Sequence, residues 1–220
     1  EFDQFPSELV NGAIVYKTPN AELTSQAIGG TVDLLTIRPL SHGKRTFVVG
    51  VRGEINDKGK LNADTKDKGY RVNLAYIDQN EAGTLGWAIG YSRMLQPIQE
   101  QYIHVWNYSP QGGSGGNDFI EGIKPYVKSN ELTRDGLLGV IEYQPSDSWH
   151  TRVDAFWSSF RDDQTLRGQE IAGYTADSRD VLELDGDLVT SGRWNGIHTM
   201  ARNDFSDRDS KTFAIGLNQV

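Results

Sequence analysis

The sequence predicts a mainly β, antiparallel fold, and three observations predict it. Apolar residues recur with period two in several segments, 24 glycines punctuate a chain of 220 residues, and short links alternate with long ones. Helical signals are sparse. PSELVN, 6 to 11, reads as one or two helical turns with Pro6 at the first position. AIGGTVDLLTIRPL, 27 to 40, reads as a strand with a glycine-rich approach, stopped at Arg38-Pro39. From residue 44 onward the alternation is regular. Phe47, Val49 and Val51 share one face of a first strand, and Tyr70, Val72, Leu74 and Tyr76 one face of a second. A third carries Leu85, Trp87, Ile89 and Tyr91, a fifth Thr151, Val153, Ala155 and Trp157, and a sixth Phe213, Ile215 and Leu217. The fourth, GLLGVIEYQ at 136 to 144, is apolar on both faces. The opposite faces are small or polar: Gly86, Ala88, Gly90 and Ser92 in the third strand, Arg152 and Asp154 in the fifth.

The links predict the arrangement. QNEAG at 79 to 83 and QPSDS at 144 to 148 are tight turns, whereas 55–69, 95–135 and 168–210 read as long loops rich in Gly, Asn, Asp and Ser. Compact soluble domains rarely use such loops. A transmembrane barrel does, with short turns on one side and long loops on the other. A sandwich with one sheet face on a core explains the alternation equally well. It explains less well the small, polar opposite face and the aromatic residues Tyr70, Tyr76, Tyr91 and Trp157 near strand ends. Alternation alone leaves both architectures open.

Composition removes other classes. A net charge of −8, from 30 acidic and 22 basic residues, argues against a nucleic-acid partner, which demands a basic face. With no cysteine, disulfides and thiolate metal sites are excluded. No apolar run approaches the roughly 18 residues of a membrane-spanning helix. The opening EFDQFPSELV has neither a basic nor an apolar leader segment, so either the chain is cytosolic or its N-terminus has been removed.

The run FPSELVNGAIVYKTPNAELTSQAIGGTVDLLTIRPL, 5 to 40, resembles the end of the plug domain of TonB-dependent outer-membrane receptors. The P-S-E-L-V start, the strand AIVYKTP, Ala21, the Gly29-Gly30 pair, the strand TVDLLT and the closing Arg38-Pro39 agree in order. The Y-K-T-P and R-P-L variants look most like the subfamily common in Xanthomonas- and Caulobacter-like bacteria. The later turn Y-Q-P-S-D-S-W is an element of the same family. The resemblance implies a small α+β plug inside a barrel of about 22 strands. Residues 1–43 are then expected to be the C-terminal part of the plug, and 44–220 about six barrel strands with long extracellular loops. Six strands leave an open edge in lipid, so the chain is expected to be a fragment of a longer receptor. The resemblance also implies a cell outer membrane location in a Gram-negative bacterium and lipid around the barrel. It implies a TonB energy-coupling protein as partner, through a segment outside these residues, and uptake of a scarce ligand into the periplasm. The subfamily favours an oligosaccharide as that ligand, with an iron-siderophore as the alternative. A soluble β-sandwich carbohydrate-binding module is the reading from a different class.

No catalytic constellation appears, so no enzyme is expected, and no cofactor. His42, His104, His150 and His198 are scattered without metal-ligand spacing. Asp154 and Glu142 are the acidic pair a hydrolase would need, and no G-x-S-x-G elbow is present. GGSGG at 112 to 116 reads as a flexible loop tip. The acidic stretches 184–187 and 203–210 offer oxygen ligands but lack EF-hand spacing, so solvated loops are expected and no metal site. Tyr102, His104, Trp106 and Tyr108 in one predicted outer loop, and Arg193, Trp194 and Asn195 in another, are the candidate ligand contacts. Aromatic faces can stack on sugar rings, while Asn and Arg reach hydroxyls. Gly29 and Gly30 are expected to permit close backbone approach, and Asp33 and Arg38 to pair with Arg52, Glu54, Arg71, Arg152 or Asp154.

Overall fold

The computed structural model describes residues 9–18, 29–106, 117–174 and 179–220. It is mainly β and antiparallel. A hairpin of β1 (Val10–Tyr16) and β2 (Thr31–Thr36) leads through one helical turn, α1 (Pro39–His42), into a six-stranded sheet. The sheet comprises β3 (Thr46–Ile55), β4 (Lys68–Gln79), β5 (Leu85–Trp106), β6 (Gly122–Ser146), β7 (Trp149–Ala172) and β10 (His198–Gln219). Each of these strands pairs with the next, in the order β3-β4-β5-β6-β7-β10. A second hairpin, β8 (Arg179–Asp185) and β9 (Leu188–Trp194), fills the last connection.

The two predicted tight turns join β4 to β5 and β6 to β7. At the first, the Asn80 side-chain oxygen accepts from the Thr84 and Leu85 amides, 2.9 and 3.0 Å away. Three expectations change. The predicted loop 95–135 is mostly strand, because β5 runs to Trp106 and β6 begins at Gly122. The predicted loop 168–210 shrinks from both ends and carries the β8–β9 hairpin. Val10 and Asn11, expected in a helix, lie in β1, while 6–8 fall outside the described residues. The strands outrun their alternation because a strand continues wherever its neighbours supply backbone partners, whatever its side chains.

The two faces of the sheet differ in kind. Phe213, Trp157, Leu137, Tyr91, Leu74 and Val49 stand in one row across all six strands. The next row is Ile215, Ala155, Gly139, Ile89, Tyr76 and Phe47. No described element covers these two rows, and Phe213 and Leu217 on the same face are 70% and 72% exposed. The opposite face carries Val48, Ala75, Ile77, Ala88, Leu138, Val140 and Phe156, which pack with Leu9 and Ile37 of the N-terminal segment. This explains why GLLGVIEYQ is apolar twice over. Leu137 and Ile141 are on the bare face, whereas Leu138 and Val140 are under the hairpin.

Small residues on the covered face let α1 come close. A Cβ on Gly86 would sit 2.8 Å from Pro39 Cβ, closer than real carbons approach. The helical turn therefore rests directly on the β5 backbone. Complete burial of Leu9 in the cluster with Ala75, Ala88, Leu138 and Phe156 supplies about 1.5–3 kcal/mol toward holding the N-terminal segment on the sheet.

Candidate functional site

The extended half of β5 turns a predicted loop into a surface. Period two places Tyr102, His104 and Trp106 on the covered face of the sheet, beyond the hairpin. Register sets Tyr102 opposite Tyr126, His104 opposite Lys124, and Trp106 opposite Gly122. On the next strands Tyr126 faces Gly168, and Gly168 faces Arg202.

Two glycines make room for the rings. A Cβ on Gly122 would lie inside the Trp106 ring, 1.8 Å from Cζ2. A Cβ on Gly168 would meet the Tyr126 ring at 2.5 Å. Each aromatic side chain thus lies over the neighbouring strand, where only glycine leaves space. The Tyr102 and Tyr126 rings meet edge to face at 5.5 Å, and His104 and Trp106 lie nearly parallel with centroids 6.5 Å apart. Lys124 Nζ stands 4.8 Å over the Trp106 ring, a cation–π contact. Tyr126 is buried, whereas Tyr102 and His104 are exposed and free to touch a ligand.

Glu170 is the polar centre of this face. Its Oε2 accepts from Arg202 Nη1 at 2.9 Å, Lys124 Nζ at 3.3 Å and the Tyr126 hydroxyl at 3.5 Å. Arg202 Nη2 also donates to Asp204 Oδ2 at 2.7 Å. Burial pushes the Glu170 carboxyl up, but Lys124 and Arg202 outweigh it and hold it below its ordinary value. Burial raises the Tyr126 phenol. Two cations and two carboxylates leave the patch close to neutral, with donors and acceptors fixed beside the exposed Tyr102 and His104 rings.

The other predicted contacts lie elsewhere. Trp194 belongs to a second aromatic cluster: it stacks on Phe119 at 4.4 Å, and Tyr174 meets both rings edge-on at 5.4 Å. The β8–β9 hairpin is tied to the same segment, with Asp118 N donating to Asp187 O and Val189 N to Asp118 O. Trp194 therefore gives one ring face to packing, while Arg193 and Asn195 are exposed. Tyr108 and 112–116 lie outside the described residues. Lys124, Tyr126, Glu170 and Arg202 escaped sequence reasoning. The isolated glycines 122 and 168 were the available signal, since a glycine inside a strand marks a close approach.

The hairpin contact also differs from expectation. Gly30, with φ of 132°, does pass close to backbone: a Cβ there would lie 2.7 Å from Tyr16 O. Gly29 has open space around it. Asp33 and Arg38 make no side-chain bond to the sheet among the described residues. Thr36 makes it instead, its hydroxyl donating to Asp154 Oδ1 at 2.6 Å, while Arg152 Nε donates to Asp154 Oδ2 at 2.8 Å. Asp33 is one strand position out of phase with Leu34 and Thr36, so it cannot share their face. Glu142 accepts the Leu40 amide at 3.0 Å and bonds His150 Nε2 at 2.8 Å. Both carboxylates of the acidic pair thus hold the N-terminal segment on the sheet. His42 bonds the Thr46 hydroxyl, and His198 opens β10 opposite Ala172.

On the bare face, beyond the apolar rows, loop 56–67 folds back across the sheet as a strap. Asn62 Nδ2 donates to Ser129 Oγ at 2.9 Å and to Thr165 O at 3.3 Å; Ser129 Oγ donates to Gln99 Oε1 at 2.6 Å. Lys66 pairs with Glu131, and Asp64 with Arg167. The Arg167 guanidinium holds the Asp64 carboxyl below its ordinary value. Leu61 and Ala63 with Ile103, Pro125 and Val127 border an open groove of about 890 Å³. The stretch 203–210 lies in β10, not in a loop, and 184–187 spans the end of β8 and the β8–β9 turn. Among the described residues no three His, Cys, Asp or Glu side chains gather as a metal site. Comparison with protein-family models, with curated proteins and with solved structures finds no match for this chain.

Proposed function

We propose that this chain is the end of the plug and the first wall strands of an outer-membrane β-barrel receptor of the TonB-dependent kind. Its ligand on this reading is an oligosaccharide, held outside the membrane and admitted to the periplasm. The observation that carries the reading is the bare apolar face. Side chains such as Phe47, Val49, Val51, Ile89, Ile141, Phe213, Ile215 and Leu217 are exposed there in register. Burying each is worth about 1.5–3 kcal/mol, so leaving the set in water forfeits a large sum that lipid restores. The polar edges support the same reading. Beyond Tyr91, Arg93 pairs with Asp135 and reaches the Tyr70 hydroxyl; toward the tight turns stand Tyr143 and Trp149.

The free edges, β3 and β10, call for further strands to close the wall. On this reading the hairpin on the covered face belongs to the plug, on which a TonB energy-coupling protein acts. For the ligand, the near-neutral charge of the Tyr102, His104, Lys124, Glu170, Arg202 and Asp204 face favours a polyhydroxyl molecule over an anionic ferric siderophore. Membrane fractionation of cells making the whole gene product tests the location. The protein should stay with outer membranes through an alkaline carbonate wash and leave only in detergent. Recovery in the soluble fraction would favour the β-sandwich module. Tyr102→Ala should weaken oligosaccharide binding by the purified receptor, and loss of ferric-siderophore binding instead would move the ligand class.

A further inference from the structure

The chain holds two Asn-Gly dipeptides, Asn11-Gly12 and Asn195-Gly196, and the fold treats them oppositely. Asn11 and Gly12 lie inside β1, where Gly12 is in register with Leu35 and Val10 with Thr36. Although the ladder bulges at Asn11, both of its neighbours are paired, which keeps the backbone extended there. Asn195 and Gly196 fall between β9 and β10, and both are exposed. Gly196 has φ of 66° and open space where a Cβ would stand. Among the described residues its amide enters no backbone hydrogen bond.

We propose that Asn195 is a site of spontaneous modification, its side-chain amide converting to a mixture of aspartate and isoaspartate. The Gly196 amide nitrogen, losing its proton to solvent base, attacks Asn195 Cγ. The Cγ–Nδ2 bond breaks, ammonia leaves, and a five-membered succinimide closes. Water then opens the ring at either carbonyl. The balance is one amide and one water to one carboxylate and one ammonium ion, with no redox step. Glycine favours the attack because nothing branches beside the nitrogen and its backbone rotates freely. The strand denies Asn11 the same rotation.

Position gives the change a consequence. Trp194 is packed between Phe119 and Tyr174, and His198 is paired with Ala172. Residues 195–197 are therefore the whole link between two fixed points. Isoaspartate adds a methylene to that link, and either product adds a negative charge beside Arg193. The inference does not depend on the function proposed above.

The folded chain is held at mildly alkaline pH, digested with trypsin, and followed by peptide mass and by isoaspartyl methyltransferase labelling. The peptide Trp194–Arg202 should convert well before the peptide ending at Lys17, with isoaspartate as one product. In urea the two sites should react at similar rates. Asn195→Gln should remove the labelled product. An unreacted Asn195 in folded protein that reacts in urea, faster conversion at Asn11, or label persisting in Asn195→Gln would each overturn the proposal.

Discussion

The two halves of β5 lie on one strand yet are held by different forces. From Leu85 to Tyr91 the bare face is wholly apolar and the covered face is small, with Gly86, Ala88 and Gly90 beneath the hairpin and α1. From Gln99 to Trp106 neither face is apolar throughout. There the strand is fixed by Gln99 under the strap and by Tyr102, His104 and Trp106 against β6. Hydrophobic placement organises the first half, with polar side chains excluded row by row. Specific polar and aromatic contacts organise the second. The difference teaches that a long strand needs continuity of backbone pairing alone, while its environment can change midway.

One substitution made twice breaks the comparison most sharply. Ile89 and Ile103 lie on the same face of β5, 50% and 68% exposed. In a bilayer, Ile89→Arg should destabilise the protein by about 2–4 kcal/mol. Ile103→Arg, outside the apolar rows, should change stability by only about 0.5 kcal/mol or less. Unfolding of both variants of the whole gene product in lipid vesicles measures the pair, on the proposed reading of the bare face as lipid-facing. Equal costs would remove the distinction between the halves, and a small cost at Ile89 would remove the lipid.

A smaller effect probes the polar half. Asn62→Leu removes the donor to Ser129 and Thr165 O within a buried polar cluster, and should cost about 1–3 kcal/mol. Amide hydrogen exchange should quicken in 56–67 and in the outer parts of β5, β6 and β7, and remain unchanged near Leu138. Acceleration spread evenly over the sheet would mean the halves are not independent.

The smallest effect is acid release of the strap. Arg167 lowers the Asp64 pKa below its ordinary 3.8. A group lowered in the folded state stabilises fully above its unfolded pKa and loses that contribution as pH falls through the folded value. Strap protection should therefore persist from neutral pH to about 5 and decline below about 4. Asp64→Asn should remove the part of that decline owed to this pair. An unaltered acid profile in the variant would show that the Asp64–Arg167 pair does not carry the decline.

Much of the first half is legible in the amino-acid sequence. Val49, Leu74, Tyr91, Trp157 and Phe213 come from separate sequence segments, yet each falls on the face its own alternation predicts, and with Leu137 they form one row. The turns at 79–83 and 144–148 are legible because Asn, Gly, Pro and Asp punctuate them. The second half is not. Beyond Arg93 polar residues occupy both faces, so no period remains to separate strand from loop. Residue type alone marks Tyr102, His104 and Trp106 as candidate ligand contacts. Their partners Lys124, Tyr126, Glu170 and Arg202 depend on cross-strand register, which the spacing within one segment does not contain.

The sequence by itself determined the strand-rich character, the two tight turns and the composition of the apolar face. Those properties are local, since side-chain period and turn chemistry act within a few residues. Only the tertiary structure decided where the strands end, which face the hairpin covers, and that Thr36, not Asp33, meets Asp154. It alone brought Lys124, Glu170 and Arg202 beside Tyr102 and His104. Backbone pairing between distant segments sets register, and register, not sequence distance, sets which side chains become neighbours.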